Sequence, residues 1–222
     1  MSAADVPEIS LDQMRELFYS AVVADALDAL GFPNQSPRVP LRPLTVDVVL
    51  VGRAKTTEWI DRTTEDPHPY AQELAAVDSC RADDVLIAAA HGSTRSGVWG
   101  ELLSTAARNA GCVGAIIDGA ARDVRPMTKM RFPVFARGTS VYDSLDRQSV
   151  VAYDVPVEID GVKFSPGDLV IADVDGVVVV PQEVEAKAIR AAWQKVHDEN
   201  RTREAIQAGM KATDAYAKYG VL

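Results

Sequence analysis

Val98-Trp99-Gly100-Glu101-Leu102-Leu103-Ser104-Thr105-Ala106-Ala107-Arg108-Asn109-Ala110-Gly111-Cys112-Val113-Gly114-Ala115-Ile116-Ile117-Asp118-Gly119-Ala120-Ala121-Arg122-Asp123 decides the fold of this chain. Gly100 starts a helix, apolar residues recur at helical spacing, and Gly111 stops it. Val113–Ile117 then reads as a buried strand, and Asp118-Gly119-Ala120-Ala121 as a turn that delivers Arg122-Asp123 at the strand end. A helix feeding a fully apolar strand predicts an α/β domain with that strand inside its sheet. The first turn of a helix leaves backbone amides free for an anion. The two ends of the segment together suit a small carboxylate and a divalent metal side by side.

Upstream, Val85–Ala90 is a second buried strand, joined to the helix by the loop His91–Gly97. Before it come a short helix near Tyr70–Ala76, a polar loop over 61–68 and one long Val/Thr-rich strand over Thr45–Trp59. Ser10 and Gln13 form a capping box that opens a helix to Leu30, stopped by Gly31 and Pro33. Downstream, a helix near Val124–Met130 leads to a strand at Pro133–Ala136. From residue 149 the pattern turns to short strands at Val150–Tyr153, Val155–Ile159, Leu169–Ala172 and Val177–Val180. Asp160-Gly161 is a hairpin signal, and Pro166-Gly167-Asp168 and Asp175-Gly176 are turns. Pro181 opens a last helix that runs past Trp193 to about Gln207, and Gly209 ends it. The simplest organisation is one domain over residues 1–222, with a C-terminal helical arm from about residue 182.

Composition narrows the function. The chain has 222 residues, 47% hydrophobic and 25% charged, with a formal net charge of −9. That balance argues against nucleic acid, which needs a basic face. No apolar run approaches the ~20 residues of a membrane span. Met1–Asp5 lacks the basic-then-apolar pattern of a signal peptide, so a cytoplasmic location is expected. Cys80 and Cys112 sit in apolar or helix-end contexts and read as reduced thiols.

Four groups of residues bear chemistry. Asp123 is a lone carboxylate able to anchor Mg²⁺ or Mn²⁺, because such ions keep waters and accept substrate oxygens. Arg122 would stabilise charge on a substrate oxygen. The plainer alternative is a surface ion pair with Asp123 as an N-cap. Gly100 permits close backbone approach, so the amides of residues 101–103 would cradle a carboxylate while Glu101 orders a water or acts as a base. The plainer alternative is that Gly100 is a cap residue and Glu101 only complements the helix dipole. His68, His91 and His197 share no metal-ligand spacing. Glu199 and Glu204 lie among Lys195, Arg201 and Arg203, a pattern that usually marks a solvated salt-bridged face. No Ser-His-Asp set, phosphate loop or dinucleotide fingerprint is present.

Trp99–Leu103, Ile116–Gly119, Arg122-Asp123, Pro133–Gly138, Pro166–Asp168, Asp173–Pro181 and Asp25–Gly31 together resemble the RraA-like / 4-hydroxy-4-methyl-2-oxoglutarate aldolase family. The resemblance spans nearly the whole chain. It implies a three-layer β/β/α swivelling-type fold, assembled as a homotrimer or homohexamer with sites between subunits. It also implies a class II pyruvate aldolase that cleaves 4-hydroxy-2-oxo acids and decarboxylates oxaloacetate through a shared enolate. On that resemblance Asp123 holds Mg²⁺ or Mn²⁺, Arg122 contacts the C2 oxygen, and the amides of Leu102 and Leu103 after Gly100 bind the carboxylate. Glu101 orders a proton-shuttling water, and Glu199 enters from the adjacent subunit. The chain departs from the aldolases at Pro126, where they carry Glu or Asp. Asp123 separates it from the RNase E-inhibitor branch, which typically lacks that residue. A methyltransferase label is set aside for want of an S-adenosylmethionine glycine motif. Two other readings stay open: a non-catalytic regulatory binding protein, and a lyase for a different, sugar-derived oxo acid.

Overall fold

The computed structural model describes residues 9–221, so Met1–Asp5 lie outside the described residues. Seven helices and eleven strands are present among them. The strands are β1 (Arg42–Pro43), β2 (Leu50–Asp61), β3 (Asp84–Ala89), β4 (Gly97–Trp99), β5 (Gly114–Ala121), β6 (Val134–Thr139), β7 (Gln148–Tyr153), β8 (Val157–Ile159), β9 (Val162–Phe164), β10 (Leu169–Ala172) and β11 (Val177–Val180). The helices are α1 (Leu11–Leu17), α2 (Ser20–Ala29), α3 (Ala71–Asp78), α4 (Glu101–Asn109), α5 (Val124–Lys129), α6 (Glu185–Gln207) and α7 (Ala212–Tyr219).

Nine strands form one mixed sheet, ordered β1-β6-β5-β3-β2-β10-β11, with β4 on β5 and β7 on β2. The β2-β3-β5-β6 set is parallel, each strand joined to the next through a helix. β10 and β7 pair antiparallel with successive halves of β2.

Both faces of the sheet are buried, and side-chain alternation sorts the core. Leu86, Ala88, Ala115, Ile117, Val134 and Ala136 face α3, α4 and α5. On the same face, Val51, Leu169, Ile171, Val178 and Val180 meet α1, α2 and α6. Val85, Ile87, Ile116, Phe135, Val170 and Val179 point the other way, onto the β8–β9 hairpin. Helices, large sheet and small hairpin are the three layers of the expected β/β/α arrangement, with α6 and α7 as the C-terminal helices. Asp160 and Gly161 both have positive φ, 50° and 76°, as a two-residue hairpin turn requires.

Several boundaries differ from the sequence reading. The helix from Ser10 to Leu30 is two helices, because Phe18 and Tyr19 are extended (ψ 158° at each) and Phe18 plugs the core. The long strand starts at Leu50, not Thr45. Residues 118–121 are not a turn: β5 runs through them, with a register shift against β6 between Ile117 and Ala120. Bulges re-aim side chains in this way beside functional sites. The last helix begins at Glu185, after a turn that Pro181 opens.

Candidate active site

The site forms where β4 and β5 end and α4 begins. Extending β5 to Ala121 moves the chain reversal to Asp123, whose backbone is left-handed (φ 55°, ψ 35°). Asp123 precedes α5 without capping it through its side chain. Its carboxylate reaches α4 instead, where the Glu101 amide donates to Oδ2 at 3.3 Å. Gly100 makes this approach possible: a Cβ there would stand 2.6 Å from Asp123 Oδ2 and 3.3 Å from Arg122 Cγ. Gly97 clears the Arg122 stem in the same way, and the Arg122 amide donates to the Trp99 carbonyl at 2.8 Å.

Arg122 Nε lies 3.5 Å from Asp123 Oδ2, and Nη1 lies 2.6 Å from Asp143 Oδ2. The guanidinium is half-buried between the two carboxylates. Ser104 makes the first helical hydrogen bond of α4, to the Gly100 carbonyl at 3.0 Å, so the amides of Leu102 and Leu103 lie ahead of it. A cavity of about 440 Å³ opens on the Arg122–Asp123 side, lined by Arg122, Asp123, Val124, Thr139, Ser140 and Val141. Gly100, Leu102, Leu103, Arg122 and Asp123 are thus gathered at one place.

Glu101 starts α4, but its carboxylate accepts from the Thr105 hydroxyl at 2.9 Å. Glu199 lies elsewhere in the chain, on α6 against α2. It accepts from the Tyr19 hydroxyl and faces Lys195 Nζ at 3.2 Å. Burial, then the Glu199 hydrogen bond, pushes the Tyr19 hydroxyl up to about 12. Pro126 sits in the first turn of α5, where its missing N–H is no loss, since Met127 makes the bond to the Asp123 carbonyl at 3.1 Å. His91 faces Glu58 Oε1 at 2.6 Å. Asp118, buried, pairs with Arg137.

Three residues of the site escaped the sequence reading. Asp143 sits in the connection between β6 and β7, and its Oδ1 accepts from the Tyr70 hydroxyl at 2.6 Å and the Leu145 amide at 2.8 Å. Burial alone would raise the Asp143 carboxyl, but Tyr70, the Leu145 amide and Arg122 together hold it below its ordinary value. Glu73 on α3 is buried beside them, and burial, with the Asp143 charge, pushes it up to about 8. Its signal was available: Glu73, Ala76 and Val77 are the buried face of α3, so a carboxyl occupies an apolar stripe.

The donor set constrains any metal. Among the described residues no three His, Cys, Asp or Glu side chains gather as a ligand cluster. Asp123 keeps an exposed carboxylate with one long amide contact, which fits a hard cation that completes its shell with water and substrate oxygens.

The family model for RraA-like proteins, described as Aldolase/RraA, matches residues 20–179. The chain belongs to the RraA-like family. Across 97% of its length it is 30% identical to a protein of Halalkalibacterium halodurans provisionally named 4-hydroxy-4-methyl-2-oxoglutarate aldolase, 96% of which is covered. Its fold is similar to that of an uncharacterised Pseudomonas syringae protein, with TM-score 0.80 and 31% identity over 92% of this chain and 95% of the other. It is also similar to Streptomyces coelicolor RraAS2, described as an unusual member of the RNase ES inhibitor RraA protein family. There the TM-score is 0.75 at 28% identity, over 87% of this chain and 94% of that one. The RraA-like family thus includes both aldolase-named and inhibitor-named proteins. No helix among the described residues is long and apolar enough to cross a membrane.

Proposed function

We propose that this chain is a divalent-metal-dependent carbon–carbon lyase that cleaves a 4-hydroxy-2-oxo acid to release pyruvate and also decarboxylates oxaloacetate. The convergence of Asp123, Arg122 and the α4 N-terminus supports it most: the Glu101 amide is 3.3 Å and Arg122 Nε 3.5 Å from one carboxylate oxygen. Asp123 would hold Mg²⁺ or Mn²⁺. Such an ion supplies Lewis acidity toward the oxygens of a chelating 2-oxo acid.

The chain's own groups do the rest. The amides of Leu102 and Leu103, at the positive end of the α4 dipole, bind the substrate carboxylate. That fixes the 2-oxo group beside Arg122. As the C–C bond breaks, negative charge develops on the C2 oxygen, and the Arg122 guanidinium is already placed to stabilise it. The guanidinium thus acts as a fixed charge and not as the acid. Glu101 orders the water that takes the 4-hydroxyl proton as the C–C bond breaks and returns a proton to C3 of the pyruvate fragment, once substrate displaces its bond to Thr105. The same charge appears when oxaloacetate loses CO₂, so one site serves both reactions. The best assembly for this reading is a homotrimer or homohexamer, in which Glu199 enters a neighbouring subunit's site in a cytoplasmic protein.

The test is pyruvate formation from oxaloacetate and from 4-hydroxy-4-methyl-2-oxoglutarate, with Mg²⁺, with Mn²⁺ and with EDTA, coupled to lactate dehydrogenase. EDTA-sensitive release above the metal-only background is the expected result. Release only from sugar-derived oxo acids would move the substrate. A second reading is a regulatory binding protein. It draws on Leu102 and Val141, which are 78% and 88% exposed at the site's rim. No pyruvate from any oxo acid, with specific capture of a protein partner, would favour it.

A further inference from the structure

Arg122 is held at three points. Its stem lies over the glycine surface of Gly97 and Gly100, its Nε faces Asp123, and its Nη1 faces Asp143. The two carboxylates are not equivalent. Asp123 has one long amide contact, so its charge is available to a cation. Asp143 has none to spare: Oδ2 is committed to Arg122 at 2.6 Å, and Oδ1 to the Tyr70 hydroxyl and the Leu145 amide. A cation at Asp123 would withdraw that carboxylate from the guanidinium and leave Asp143 as its anchor.

Tyr70 makes the anchor specific. It ends the polar loop after β2 and starts α3 in a left-handed conformation (φ 64°), uncommon for a bulky aromatic residue. Backbone conformations of this kind persist where surrounding structure imposes them. A half-exposed ion pair adds little to stability, so Asp143–Arg122 is a poor candidate for a mere structural brace. The neighbouring carboxyl does not compete, because burial leaves Glu73 mostly neutral near pH 7. Tyr70 keeps its proton and remains a donor, since burial and Asp143 push its hydroxyl up to about 12.

We infer that Asp143, locked by Tyr70 and the Leu145 amide, is the positioning residue that fixes the Arg122 guanidinium at the substrate-facing cavity. Its catalytic consequence rests on the lyase reading, but its structural content does not. Two variants test it, Asp143→Asn and Tyr70→Phe, so that a folding failure in one leaves the other.

The first readout needs no turnover. ¹⁵N relaxation of the Arg122 Nε–Hε group, identified by its loss in Arg122→Lys, reports an order parameter without added metal, measured in an Asp123→Ala background so that Asp143 is the remaining carboxylate on the guanidinium. A clear fall in Asp143→Asn, and a smaller one in Tyr70→Phe, is expected; unchanged order in both overturns the inference. The second readout is kinetic, on oxaloacetate with saturating Mg²⁺. We expect kcat to fall about 10–100-fold in Asp143→Asn, with KM and the half-saturating Mg²⁺ concentration within about twofold. In an Arg122→Ala background the same substitution should cost nothing further. Losses that multiply independently would overturn the inference. A wild-type protein without activity would refute the lyase reading alone, and the order parameter would still decide this one.

Discussion

Asp123 and Asp173 occupy the same kind of place and carry opposite loads. Each follows a strand end, β5 or β10, and each turns its carboxylate to the first amide of a helix distant in sequence. Asp173 is buried and saturated: Ser20 donates through its amide at 2.6 Å and its hydroxyl at 2.7 Å, and the Asp175 amide adds a bond at 3.0 Å. Asp123 is exposed and receives one amide at 3.3 Å. The local motif is shared, so it does not distinguish a brace from a ligand. What distinguishes them is how many lone pairs remain unclaimed.

Substitution should therefore separate them cleanly. Asp123→Ala should cut metal-dependent pyruvate release on the order of a thousandfold, the several kcal/mol that an electrostatic centre supplies. Its thermal midpoint should barely move, because so little bonds to the side chain. Asp173→Ala should do the reverse: a loss of about 2–4 kcal/mol in denaturant unfolding, with activity per folded molecule retained. A stable, fully active Asp173→Ala protein would erase the contrast. Gly100→Ala comes next, since its Cβ would meet Asp123 Oδ2 at 2.6 Å and displace it. We expect about a tenfold to hundredfold loss of kcat and weaker Mg²⁺ activation.

The smallest effect concerns Glu73, the buried carboxyl behind the site. Its folded pKa, about 8, lies above the ordinary 4.5. Between those values the unfolded chain has released the proton and the folded one retains it. Stability contributed by this group therefore falls as pH rises from about 4.5 to about 8 and levels off above. Glu73→Gln lacks that slope. Its advantage over wild type should grow across the same window, to on the order of 1–3 kcal/mol, and urea melts at pH 5 and pH 8.5 would show it. Equal advantage at both pH values would mean that Glu73 ionises normally.

The sequence made Asp123 visible because glycines frame it: Gly100 and Gly119 punctuate helix and strand in ways that local rules capture. Asp173 stands in the sequence between the strand ending at Ala172 and the Asp175-Gly176 turn, and nothing local points to its bond to Ser20, 153 positions away. That bond coincides with the place where the first helix divides: Phe18 and Tyr19 leave helical geometry just before the amide that Asp173 caps. Local spacing could not foresee it, since the apolar positions on either side keep one helical period. Asp143 and Tyr70 were hidden for the same reason. Each is a lone polar residue outside the regular strands, and its meaning comes from a partner far along the chain: Asp143 for Tyr70, and Arg122 for Asp143. The parallel strands were legible because burial on both faces writes continuous apolar runs. The extra residues of β5 were not, because Asp118-Gly119 reads as a turn until its partner β6 is in place.

The twelve-residue β2 has a consequence for how the molecule is made. One of its edges pairs with β3 soon after synthesis, but the other waits for β7 and β10, whose partners lie about 90 to 120 residues downstream. Until the last third of the chain emerges from the ribosome, Leu50–Asp61 presents an unpaired row of amides and carbonyls. Such edges seek other chains, and closing loops of this length slows folding. The nascent chain therefore passes through an interval in which it is most exposed to mispairing, and that interval ends with the arrival of Leu169–Ala172.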